Sequence, residues 1–193
     1  MPIVQVGDPV LRRAARELSR EEVLSGEIQE LIAQMRETMR AAPGVGLAAP
    51  QIGLPLRIAV IEDLAEYHKD IPPERLAELA RNPVPFHAII NPEIVLTGEP
   101  IEFFEGCLSM AGFSAIVTRA SAVRVECWNA QTEPVSIEAS GWYARILQHE
   151  IDHLNGTLYI DRMKSRSLST IDNLIRHWKM KPIDQVKAEL ELG

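Results

Sequence analysis

Two histidines bracket a glutamate in Gln148-His149-Glu150-Ile151-Asp152-His153-Leu154-Asn155-Gly156, and this H-E-x-x-H spacing is the chain's strongest chemical signal. An α-helix turns by about 100° per residue, so His149 and His153 leave one face at successive turns and can share a metal ion. Glu150 stands beside that face, where it can handle the protons of a reacting water. The chain has five histidines in all, and two at this spacing around a glutamate are poorly explained as a surface coincidence. Helix signals frame the run: Ser140-Gly141 precede it, Trp142, Ile146 and Leu147 are apolar, and Gly156 stops it.

A catalytic centre of this kind takes three protein ligands and leaves one position open. One group of metallopeptidases places a third histidine in H-E-x-x-H-x-x-G-x-x-H; this chain keeps Gly156 but has Tyr159 at that position. A second group takes a glutamate from a following helix, yet none occurs between His153 and Glu189, and His177 lies in an unrelated basic stretch. The better candidate is upstream, Cys107 in Glu105-Gly106-Cys107-Leu108-Ser109, where small neighbours suit a loop or strand edge and a thiolate is a good soft ligand. A further segment, Gly44-Val45-Gly46-Leu47-Ala48-Ala49-Pro50-Gln51-Ile52-Gly53, lacks the Gly-Lys-Ser/Thr ending of a phosphate loop. Its small residues let a backbone approach a ligand closely, and the Gln51 amide can donate to an oxyanion.

In chain order, G-x-G-x-A-A-x-Q, E-G-C-L-S and Q-H-E-x-D-H-L-x-G closely resemble the three motifs of the peptide deformylase family, and the resemblance runs from about Val4 to Met163. It implies removal of the N-formyl group from the N-terminal methionine of new polypeptides, with release of formate. Carried over position by position, it makes Cys107, His149 and His153 the metal ligands. Fe(II) is the expected native ion, with zinc, nickel or cobalt also accepted. Glu150 would take a proton from water and pass one to the leaving amine, while Gln51 and the Leu108 backbone N–H stabilise the oxyanion. Val45 and Gly46 would pair with substrate backbone as an added strand. Trp142 and Ile146, on the turns preceding His149, are expected to line an apolar pocket for the methionine side chain.

The elements that must position these groups are also readable. Ile28, Leu31, Ile32, Met35 and Met39 repeat at helical spacing and predict a helix ending before Pro43, its methionines filling core. Strands are predicted at 56–61, 88–96, 122–128 and 135–139, then the metal helix, then a last strand at 157–160. Pro2-Ile3-Val4 also looks strand-like, and Cys127 reads as a buried strand residue. Residues 63–86, with Pro72, Pro73, Pro83 and Pro85 around a short helical run at 74–81, form an inserted surface excursion. That insertion and Ser140-Gly141-Trp142 resemble the deformylase class that includes organellar members. The expected fold is α+β, antiparallel sheets around one buried metal-binding helix, as the family has.

With 193 residues and 46% hydrophobic content, one domain covering 1–193 with a real core is expected. A basic C-terminal extension begins near 162. No stretch approaches the roughly 18 apolar residues of a membrane helix, and no signal peptide opens the chain. Two cysteines argue against a disulfide framework and for a reducing compartment, the bacterial cytoplasm or an organelle matrix. A formal charge of −7 disfavours bulk nucleic-acid binding. Locally, Arg162, Lys164, Arg166, Arg176, Lys179 and Lys181 stand against Asp172, a balance of +6 − 1 = +5 over 162–182. Contact with the ribosome there competes with a merely solvated helix, and the solvated helix is the simpler reading. Asp152 reads equally well as support for the metal site or as a solvent-facing acid. Glu105 and Arg119 can pair across the ligand loop, and as an exposed pair would contribute about 0–1 kcal/mol. His68, His87 and His177 read as ordinary histidines. Two rivals remain: a peptidase, which the missing third ligands disfavour, and an inactive metal-binding module, which would not need Glu150 or Gln51. Sequence does not set the oligomeric state.

Overall fold

The computed structural model describes residues 1–192. A short helix α1 (Arg20–Leu24) leads into α2 (Gly26–Ala41), each capped by a serine: Ser19 accepts from the Glu22 N–H and Ser25 from that of Ile28. Ile28, Leu31, Ile32, Met35 and Met39 are all buried, so the helical period reads correctly as a core face.

Five strands follow in one antiparallel sheet whose spatial order is the chain order: β1 (Gly46–Ala48), β2 (Ile58–Asp63), β3 (Val84–Cys107), β4 (Met110–Trp128) and β5 (Pro134–Ser140). Between β2 and β3 lies the inserted excursion, whose helix α3 spans Pro73–Glu78. A sixth strand, β6 (Ser169–Thr170), pairs with β4 at Phe113 and Ser114. The strands predicted at 88–96 and 122–128 are parts of the much longer β3–β4 hairpin. Gly98, at φ +73°, and Pro100 look like a strand end, but here they form an irregularity between Thr97 and Pro100 and pairing resumes beyond it. The far end of this hairpin carries Cys107 beside its turn.

Helix α4 (Gly141–Leu154) packs against the sheet and is buried on nearly every side, from Ala144 to Leu154 with His149 only partly covered. Ala144, Ile146, Leu147, Ile151 and Leu154 join Val123, Val125 and Cys127 of the sheet in one core cluster. Each such large aliphatic side chain contributes about 1.5–3 kcal/mol by leaving water. Gln148 adds a polar clasp: its Oε1 accepts from the Ala120 N–H (3.0 Å) and its Nε2 donates to the Ala120 carbonyl (2.9 Å), completing β4 as a neighbouring strand would.

Two local expectations fail. Residues 157–160 are not a strand: Leu158 and Tyr159 are buried consecutively, Asp161 takes the Leu158 N–H, and a 3-10 turn forms over Tyr159–Asp161. Gly156, at φ +73° with the Arg12 backbone 2.9 Å from where a Cβ would stand, turns the chain away from the sheet. Residues 2–4 form no strand either, although Val4 N–H donates to the Gln51 carbonyl and Val6 N–H to that of Ser109. Beyond β6 the chain continues through a helical turn α5 (Ile171–Asn173) and α6 (Ile183–Glu189). Among the described residues, no helix is long and apolar enough to cross a membrane.

Candidate metal centre

Helix α4 delivers His149 and His153 one turn apart, and the β3–β4 turn brings Cys107 to meet them. The Cys107 Sγ lies 3.3 Å from His153 Nε2, which lies 3.3 Å from His149 Nε2; one ligand atom from each residue falls within 4.8 Å of the others. A tetrahedral ion with ordinary metal–sulfur and metal–nitrogen bonds would set such edges at about 3.3–3.6 Å. The three side chains therefore fit a metal ion, on the spacing of their own donor atoms.

The ring orientations support the same reading. His149 Nδ1 lies 3.0 Å from Glu105 Oε2, an interaction that directs its N–H to the carboxylate and turns the Nε2 lone pair toward Cys107 and His153. Burial pushes the His153 pKa well below its ordinary value, which favours the neutral imidazole that metal binding needs. Tyr159, at the place of the missing third histidine, stacks its ring against His149 at 6.2 Å.

Glu105 is the hub of a buried network. Arg119 grips it with two bonds (2.9 and 3.0 Å), and Arg145 adds a third at 2.6 Å. Burial would raise the Glu105 carboxyl, but His149 and Arg119 hold it well below the usual carboxylate range. Arg119 also bonds Asp152, which Arg162 clasps at 2.7 and 2.8 Å. The Glu105–Arg119 pair is thus buried rather than exposed, because both strands lie under α4. Asp152 is likewise buried and supports the network instead of facing solvent. Arg145 was missed by sequence reasoning; its position one helical turn before His149, on the same face, was the available signal. His68 pairs with Asp63, and His87 with the Tyr143 hydroxyl.

Glu150 is buried, and burial raises its carboxyl to about 7, the range in which a carboxylate can both accept and return a proton. Its Oε1 stands 2.2 Å from the point where a Cβ on Gly46 would lie, so a side chain there would displace the carboxylate. Gln51, 1% exposed, is locked by its own oxygen: the Ala48 N–H donates to Oε1 at 2.8 Å. Its Nε2 must then face the centre, donating to Ser109 Oγ (3.3 Å) and Cys107 Sγ (3.5 Å). Val45, Gly46, Gln51, Cys107, Leu108, Trp142, Ile146, His149 and Glu150 all line one cavity of about 690 Å³, so the sequence-derived residues share a single space; His153 sits behind it. Arg81, from the insertion, reaches the same cavity and lies over the Trp142 ring at 5.5 Å.

Comparison with known proteins places this geometry. The polypeptide deformylase family model matches residues 1–169. The chain is 47% identical over 173 residues to a chloroplastic peptide deformylase 1A of Solanum lycopersicum, covering 89% of this chain but 62% of that protein. It therefore spans under two thirds of that plant relative's length. It is 44% identical over 191 residues to peptide deformylase 3 of Streptomyces avermitilis, covering 98% of this chain and 83% of the relative. A peptide deformylase from Synechococcus elongatus, solved in complex with actinonin, superposes with a TM-score of 0.71 at 36% identity, covering 85% of this chain and 79% of that one. The chain, with its Cys–His–His cluster on a hairpin turn and a buried helix, belongs to the polypeptide deformylase family.

Proposed function

We propose that this protein hydrolyses the formyl amide at the N-terminal methionine of newly made polypeptides, releasing formate and a free amine. The observation that carries this is the convergence of Cys107, His149 and His153 at ion-binding distances, with Glu150 and the Gln51 amide opening onto the same cavity. In this reading Cys107, His149 and His153 hold a divalent ion, natively Fe(II), and zinc, nickel or cobalt suit the same donors. When bound, the ion supplies Lewis-acid polarisation and makes water a nucleophile near neutral pH.

The chain's own groups do the rest. Glu150 accepts a proton from water as its oxygen joins the formyl carbon, then delivers it to the amine as the carbon–nitrogen bond breaks. Gln51 Nε2, fixed by Ala48, and the Leu108 N–H donate to the developing oxyanion. The β1 edge at Val45 and Gly46 pairs with substrate backbone, and Trp142 and Ile146 receive the methionine side chain. Residues 1–193 act as one such domain, with a basic extension from about 162. A ribosome contact through that extension has little support from charge alone. Of its seven basic side chains, Arg162, Lys164, Arg166, Lys181 and Lys187 are engaged by acids of this chain.

The test is formate release from formyl-Met, formyl-norleucine, formyl-Ala and acetyl-Met peptides of otherwise identical sequence, with internal peptide-bond cleavage assayed alongside. Closely packed backbone at Gly44–Ala49 should exclude the acetyl methyl, and a 1 Å misplacement can cost about 10²-fold in rate. Norleucine should substitute well for methionine and alanine poorly. Comparable kcat/KM for formyl and acetyl peptides, or internal cleavage, would overturn the assignment.

A further inference from the structure

The insertion between β2 and β3 is fastened to the metal helix rather than hanging free of it. Ala80, at φ +44°, holds a left-handed backbone that residues with a side chain rarely adopt. It meets Gly141, the first residue of α4, which is itself at φ +60°. A Cβ on Gly141 would stand 2.5 Å from the Ala80 Cβ and 2.7 Å from its carbonyl oxygen, so glycine lets the two segments touch. The next residue, Arg81, is thereby turned onto the helix. Its Nε and Nη2 donate to Asp63 at 2.8 and 2.9 Å, and His68 Nε2 lies 3.0 Å from the same carboxylate. The Asp63 side chain is fully buried and that of Arg81 is 13% exposed. Asp63 ends β2 and Arg81 stands just before β3, so the pair closes the excursion on itself. Two bonds to one carboxylate fix the guanidinium plane, which lies over the Trp142 ring at 5.5 Å and borders the cavity.

We propose that Arg81 is a specificity-determining residue, the stop that sets how long a terminal side chain the enzyme accepts. This rests on the deformylase reading of the site. Along α4, the residues that border the cavity before His149 are Ile146, Arg145 and Trp142, in order of increasing distance. At a rise of 1.5 Å per residue, Trp142 stands about 10 Å from His149 along the helix axis. With the formyl group at the ligand cluster, the methionine side chain runs past Ile146 toward Trp142, and Arg81 is the group over that far end. Asp63 holds two of its nitrogens, so the guanidinium cannot swing aside without leaving a buried carboxylate short of its partner. A side chain longer than that of methionine would have to push it. None of the three motif segments contains Arg81, so the stop belongs to the insertion and not to the reacting centre.

The experiment compares kcat/KM for formyl-Met, formyl-norleucine and formyl-2-aminooctanoyl peptides of otherwise identical sequence. The proteins are wild type, Arg81→Ala, the double variant Asp63→Asn with Arg81→Ala, and Arg75→Ala. Wild type should use norleucine about as well as methionine, and the longer aminooctanoyl chain about tenfold less well or worse. Arg81→Ala should narrow that penalty by about tenfold, the scale on which such a pocket discriminates one methylene. The double variant removes the carboxylate that Arg81→Ala strands, so it carries the test if the single variant does not fold, and it should show the same narrowing. Arg75 lies in the same insertion, over the Phe103 ring, and does not border this cavity; Arg75→Ala should keep the wild-type ratio. No penalty in wild type, a ratio that Arg81 replacement leaves within about twofold, or an equal shift from Arg75→Ala overturns the proposal while the deformylase reading stands. Failure to release formate from formyl-Met overturns that reading itself, and the proposal with it. Because ratios are compared within each variant, a general loss of stability or metal cancels.

Discussion

Replacing Gly46 with alanine tests how tightly the strand edge holds the base. The new Cβ would lie 2.2 Å from Glu150 Oε1, 2.6 Å from its Cδ and 2.8 Å from its Cγ, whereas ordinary contact begins at 3.4 Å. Something must move by about 3.4 − 2.2 = 1.2 Å. The strand resists, because β1 is paired with β2 from Gly46 to Ala48. The carboxylate yields more readily: its Oε2 is buried with no hydrogen-bond partner to retain it. A displacement of that size at a reacting group costs about 10²-fold in rate, while overpacking of this kind costs about 1–3 kcal/mol of stability. Gly46→Ala should therefore fold, bind metal and lose about two orders of magnitude in kcat/KM for formyl-Met peptides. Formate release, metal content and the thermal midpoint would be measured on one preparation. Activity within about threefold of wild type, which corresponds to less than 1 kcal/mol, would refute the reasoning.

Glu150→Gln should keep fold and metal but lose about 10²–10⁴ in turnover; loss of metal first would mean the residue is a ligand instead. Glu105→Gln removes the charge and one of the two acceptor oxygens that His149, Arg119 and Arg145 share, and should weaken metal affinity about 10–100-fold, read by competition with a chelator. It should also lower the melting temperature, since it strands buried guanidinium charge; an unchanged midpoint would show the network to be dispensable. Burial alone would raise the Glu102 carboxyl, but Lys187, Lys164 and Thr118 bring it down to about 2 from 4.5. A depressed carboxylate stabilises the fold above pH 4.5, and that contribution is lost as pH falls from there toward 2. Thermal midpoints across this window should fall more steeply for wild type than for Glu102→Gln, and parallel curves would rule the contribution out.

The residues that meet at the centre were legible because their signals are local. H-E-x-x-H needs one helix, and the Cys107 and Gln51 motifs each occupy one short segment. The carboxylate network was not legible, because Glu105 meets partners 14, 40 and 44 residues away, and no periodicity announces which charges a fold will bury together. An arginine such as Arg145 looks like solvent-facing charge until the helix carrying it is known to be enclosed. The strand expected at 157–160 failed for a related reason. Tyr159 and Ile160 pack in a satellite cluster against Ala115 and Val117 of β4, and Asp161 supplies the hydrogen bond a neighbouring strand would have made. Alternation correctly found the middle of the β3–β4 hairpin but not its length, since Gly98 and Pro100 read as breakers where the fold tolerates an irregularity.

The placement of the three candidate ligands on a hairpin turn and a separate helix ties metal affinity to folding free energy. His149 and His153 remain neighbours in an unfolded chain, but Cys107 is 149 − 107 = 42 positions from His149 and meets it only when α4 has docked under the sheet. An ion needing all three donors therefore binds the native state and largely ignores the denatured one. At a free concentration one hundred times its dissociation constant, such an ion adds about 2.7 kcal/mol to native stability. The melting temperature becomes a gauge of metal affinity, and ions can be ranked by it without any turnover assay. If these three residues hold the ion, the centre is also a fastener: whatever oxidises Cys107 or strips the ion would loosen the hairpin from the helix, and inactivation and ageing of the fold would become one event.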